Sequence, residues 1–153
     1  MLTMLCGVFV YGLNAINKGR LRTDAFNIAD KKIVQVRRLM NAVQGTKITG
    51  DELRKIITDG DTSVKTVTID DNSVAGDSTL YTIWPDPAPV SLKAEGTVTV
   101  TGSADYYYTL SVVDYDLWVK KIRVEVTWEE ERVGPQKVVL ESIVSRGKNW
   151  PLH

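Results

Sequence analysis

The sequence predicts an α+β fold in which a long N-terminal α-helix packs against an antiparallel β-sheet. Three observations predict it. Met1 to Val43 runs without a proline, from an apolar start (MLTMLCGVFVYGL) into an amphipathic continuation. Everything after Gly45 reads as strands and turns, with one short helix. The segment KKIRVEVTWEE, Lys120–Glu130, alternates polar and apolar residues without exception from Lys121 to Glu129, the pattern of a strand with one buried and one wet face.

At 153 residues the chain is long enough for one domain with a real hydrophobic core. Its 19 basic residues balance 19 acidic ones, so bulk electrostatics point to neither nucleic acid nor an acidic substrate. Cys6 is the only cysteine and His153 the only histidine. An internal disulfide is therefore impossible, and a Cys/His zinc site or a nucleophile–histidine pair lacks its parts. No catalytic, metal or cofactor-binding residue is predicted, and the chain is not expected to be an enzyme.

The opening stretch, residues 1–17, is oily: Met1 to Leu13 carries no charge. Leu2, Leu5, Val8, Phe9, Leu13 and Ile16 are its candidate membrane or assembly positions. The run falls short of the ~20 apolar residues of a spanning helix, and no positive n-region marks a signal peptide. It reads as a partial membrane segment or, alternatively, as a buried core helix. Glycines at 7, 12 and 19 would each cost about 1 kcal/mol in a soluble helix and are ordinary in a membrane one.

Residues 18–45 form the predicted amphipathic stem. Ala25, Ala29, Ile33, Val36, Met40 and Val43 step by four or three and share one helical face. Phe26 and Leu39 are expected to widen that face. The remaining positions hold Lys18, Arg20, Arg22, Lys31, Lys32, Arg37 and Arg38 against Asp24 and Asp30, a solvated face or one that meets anionic headgroups. Gly45 is the expected stop. A helix from Met1 to Val43 would be roughly 65 Å long, more than the remaining residues could cover, so part of it must be buried in lipid or in partners.

The head, residues 46–147, begins with a capping box. Thr49 supplies the N-cap oxygen and Glu52 the carboxylate three residues on, with Leu53, Ile56 and Ile57 as the apolar side and Thr58-Asp59-Gly60 as the end. Val64–Ile69 and Leu80–Trp84 are strand candidates. Pro85, Pro87 and Pro89 then impose an extended connection. Thr97–Val100 leads through a turn at residues 101–105 into Tyr106–Val113, with Tyr106, Tyr108, Leu110 and Val112 on one face. Ile122, Val124, Val126 and Trp128 form the inward face of the next strand. A loop around Val133-Gly134-Pro135 turns into Lys137–Ser145, with Val138, Leu140 and Val144 inward. The meander is expected to pack on the stem, and residues 148–153 to form a tail.

Three places carry a family resemblance: the stem RTDAFNIADKKIVQVRRLM, the strand VKKIRVEVTWEE and the closing strand KVVLESIVSR. In this order they resemble the type IV pilin and type II secretion pseudopilin superfamily, in particular its minor members of the I/V type. The resemblance implies a pilin-like fold and a non-enzymatic structural subunit. It would be anchored in the bacterial inner membrane with a periplasm-facing head, and assembled with other subunits through its N-terminal helix. The family's glycine-terminated leader, and the Phe-Thr-Leu-Ile-Glu-like start with its buried glutamate, have no counterpart here. The expectation is that Met1 lies inside the membrane helix, or else that the chain is a degenerate member. The alternative is a soluble or exported β-rich binding module with no pilus role.

Three acidic clusters, Asp59-Gly60-Asp61, Asp70-Asp71-Asn72 and Asp114-Tyr115-Asp116, gather oxygen atoms without the spacing of a calcium loop and read as turns. The run Tyr106-Tyr107-Tyr108 reads as two core rings and one surface ring rather than a stacking platform.

Overall fold

The computed structural model describes residues 2–42, 47–58, 63–69, 72–82, 91–116 and 118–145. In chain order they form helix α1 (Leu2–Ala42), strand β1 (Lys47–Thr49), helix α2 (Gly50–Thr58) and seven further strands. These are β2 (Val64–Ile69), β3 (Asn72–Ser73), β4 (Leu80–Thr82), β5 (Leu92–Thr99), β6 (Asp105–Asp116), β7 (Val119–Glu130) and β8 (Gly134–Ser145). The architecture is α+β, one long helix against a large antiparallel sheet.

That sheet has six strands in the order β3-β2-β5-β6-β7-β8, with every neighbouring pair antiparallel. β5 to β8 form the expected meander. The pairing of β2 with β5 brings Val67 and Ile69 into the same core. β1 and β4 form a separate two-stranded ribbon beside α2. The sequence reading anticipated neither β1 nor β3. It also began β5 five residues late, because the inward positions Ala94 and Gly96 are small and give little hydropathy signal.

The two long hairpins turn tightly. Gly102 takes φ 72° between β5 and β6, and Arg132 and Gly134 take φ 69° and 93° between β7 and β8. Positive φ is free for glycine and costly for arginine.

α2 is capped as its sequence specifies. The Glu52 N–H donates to the Thr49 hydroxyl at 3.2 Å, and the Thr49 N–H donates to the Glu52 carboxylate at 3.1 Å. Both reciprocal bonds of a capping box are therefore made. Leu53 and Ile57 are buried beneath it. The Ile56 side chain lies outside the described residues, as do Val43, Gly45, Asp59, Gly60, the Trp84–Pro89 connection and residues 146–153.

The core lies between α1 and the inner face of the sheet. Tyr106, Tyr108, Leu110 and Val112 of β6 face it, together with Ile122, Val124, Val126 and Trp128 of β7 and Val144 of β8. Val138 and Leu140 are half-buried against the same cluster.

Candidate functional site

The stem helix is the candidate functional element, and its two ends have different surroundings. Ala25, Ala29, Ile33, Val36 and Met40 are all buried, as the spacing predicts, and Ile28 and Leu39 are buried with them. α1 lies over β7 and β8, so these residues meet the sheet's inner face. Phe26 departs from expectation and is 50% exposed. At about 100° per residue it sits a quarter-turn round from Ala25, past the rim of the sheet contact.

Toward the N-terminus the body lets go of the helix over about two turns. Tyr106, reaching up from β6, donates its hydroxyl to the Leu21 carbonyl at 3.2 Å. Ser103, in the β5–β6 turn, donates to the Asp24 carboxylate at 2.8 Å. The Arg20 guanidinium donates to the Gly102 carbonyl, and Lys18 pairs with Glu130 at 3.5 Å. Burial raises the Tyr106 phenol above its ordinary pKa, so it remains a neutral donor at physiological pH. Both hairpin tips thus grip α1 between Lys18 and Asp24.

Beyond that collar the described side chains of α1, from Val10 to Asn17, lie mostly in the open. Val10, Tyr11, Leu13 and Ile16 are exposed, Tyr11 at 79% and Ile16 at 69%. Leu13 and Ile16 are two of the predicted membrane or assembly positions. The others, Leu2, Leu5, Val8 and Phe9, lie on α1 with side chains outside the described set. Among the described residues, no helix is long and apolar enough to cross a membrane.

Near the C-terminal end of α1 lies a polar cluster that the sequence reading missed. Lys32, expected on the solvated face, is only 4% exposed. Its ammonium sits 4.3 Å from the centre of the Tyr108 ring and donates to the Ser63 hydroxyl at 2.8 Å. Ser63 and Tyr108 approach at 3.3 Å. Gly96 lies opposite Tyr108, where a side chain would collide with the Ser63 carbonyl and the Tyr108 hydroxyl. Gln35 donates to the Ile57 carbonyl at 3.0 Å, which ties α1 to the end of α2. The burial of Lys32 was available in the spacing: it falls four residues after Ile28, three after Ala29 and four before Val36. Lys120 is likewise buried and shares the inward phase of Ile122.

The acidic clusters at 59–61 and 70–72 and the Asp114 side chain lie wholly or partly outside the described residues. Among those described, no three His, Cys, Asp or Glu side chains converge as metal ligands would. Tyr107 is exposed while Tyr106 and Tyr108 are buried, so the three rings divide between core and surface as expected. No protein-family model, curated protein or solved structure matches the chain.

Proposed function

We propose that this chain is a structural subunit of the pilin or pseudopilin type. It is held at the bacterial inner membrane and assembled with neighbouring subunits through the N-terminal half of α1. The observation that carries this reading is the contrast along one continuous helix. From Ala25 to Met40 one face is buried on the chain's own sheet, whereas Val10, Tyr11, Leu13 and Ile16 stand exposed beyond the collar. Fully burying a large apolar side chain is worth roughly 1.5–3 kcal/mol, and these four are half to four-fifths exposed, so together they offer on the order of 5 kcal/mol to whatever covers them. Apolar helices exchanging lipid for one another would supply that cover, and the head would set register in the assembly.

A photo-reactive amino acid at position 16, in protein expressed from its native locus, tests this reading. Adducts with membrane lipid or with other small helical subunits are expected. Adducts confined to the chain's own head would overturn the proposal and favour a binding module whose stem folds back on itself.

A further inference from the structure

The six-stranded sheet has two very different edges. At one end β3 has only two residues. At the other, β8 runs for twelve and pairs only with β7 among the described residues, leaving a long row of backbone donors and acceptors on its outer side. Such an edge is a template for another strand.

The side chains of β8 specify which strand. Its outer face carries Pro135, Lys137, Val139, Glu141 and Ile143, and its inner face carries Val138, Leu140 and Val144. We propose that the free edge of β8 pairs antiparallel with β8 of a second copy of this chain, about a two-fold axis through Val139. Directly opposed residues in an antiparallel pair share a face of the sheet, which limits the registers available. An axis at Val139 sets Lys137 opposite Glu141 of the second copy, twice over, and Val138 opposite Leu140. An axis at Val138 or Leu140 leaves both charges facing apolar residues or proline. An axis at Lys137 or Glu141 brings like charges together. Only the Val139 register is complementary in charge.

The helices permit this arrangement. α1 lies over β7 and β8, and strands are about 4.8 Å apart, so a helix centred between those strands sits about 5 Å from the two-fold axis and the two α1 helices roughly 10 Å from each other, an ordinary packing distance. The pairing is made by the heads and holds whatever the stem's partners are.

Disulfide cross-linking of the full chain in mild detergent, in a Cys6→Ser background, tests it. Val139→Cys should give an oxidised dimer. Ile143→Cys should not, because the two copies of that residue would lie roughly 27 Å apart at about 3.4 Å per residue. In the Val139→Cys background, Lys137→Glu or Glu141→Lys alone should cut the dimer yield about fivefold or more, and the two together should restore it. Within one chain Lys137 pairs with Glu125, and Glu141 with Lys121 and Arg123. The double exchange turns those pairs repulsive, so rescue can come only from contact between copies. Equal cross-linking at positions 139 and 143, no cross-link at 139, or failure of the double exchange to rescue would each overturn the proposal.

Discussion

The ammonium of Lys32 lies 4.3 Å from the centre of the Tyr108 ring, placing a buried cation from the stem helix over an aromatic ring of the sheet. An ammonium above a desolvated ring gains on the order of 2 kcal/mol, and the lysine stem adds apolar packing. Lys32→Ala should therefore destabilise the fold by roughly 2–4 kcal/mol. Changing the exposed neighbour Lys31 to alanine should shift stability by less than about 0.5 kcal/mol. Thermal melts of the two variants side by side check the contrast.

Gly96 makes room for the same cluster. A methyl group there meets the Ser63 carbonyl, a backbone atom that cannot swing aside, as well as the Tyr108 hydroxyl. Gly96→Ala should cost about 3 kcal/mol as an overpacked core site, measurable by urea denaturation. Gly12→Ala, with none of the described residues within 4 Å of the added atom, should be neutral or slightly stabilising.

Trp128 packs its ring 6.0 Å from that of Tyr106, and its indole N–H is buried with no acceptor among the described residues. Trp128→Ala should cost roughly 3–5 kcal/mol as a large-to-small change. Trp128→Phe removes the unsatisfied donor along with some volume, and these effects offset, so about 1.5 kcal/mol or less is expected. A phenylalanine variant as unstable as the alanine one would show that the N–H has an acceptor after all.

The capping box gives α2 an acid-sensitive start. The Thr49 backbone N–H and then its hydroxyl hold the Glu52 carboxyl below its ordinary pKa. A depressed pKa means that the unfolded chain takes up the proton first. The contribution is therefore full above the ordinary carboxylate range and is lost as pH falls from that range through the lower folded-state value. Thr49→Ala should lower stability by about 1 kcal/mol at neutral pH and flatten this part of the acid limb. Melts between neutral pH and pH 3 would show both effects.

Elements with strong periodicity were legible before the structure. The stem's apolar steps, the alternation in β7 and the Thr49–Glu52 capping box each identify one local conformation, and each forms as read. β5 escaped because Ala94 and Gly96 are inward positions with little side chain to register. Lys32 reads as a solvated residue because its charge outweighs its apolar phase. Its burial depends on Tyr108 and Ser63, which are remote in sequence and adjacent only in the fold. Phe26 was placed inside by its hydropathy, yet the width of the sheet contact decides its exposure. The two-stranded ribbon of β1 and β4 is made by pairing between segments too short to carry a pattern of their own.

The exposed side chains of Val10, Tyr11, Leu13 and Ile16 test the central claim, that this half of the helix serves other molecules rather than the chain's own body. The most direct measurement is membrane fractionation of the protein expressed from its native locus, compared with a Leu13→Asp/Ile16→Asp variant of unchanged head melting temperature. The wild-type chain should sediment with the membrane and require detergent for release, and the variant should be lost from that fraction. Wild-type protein recovered as a soluble monomer would contradict the account.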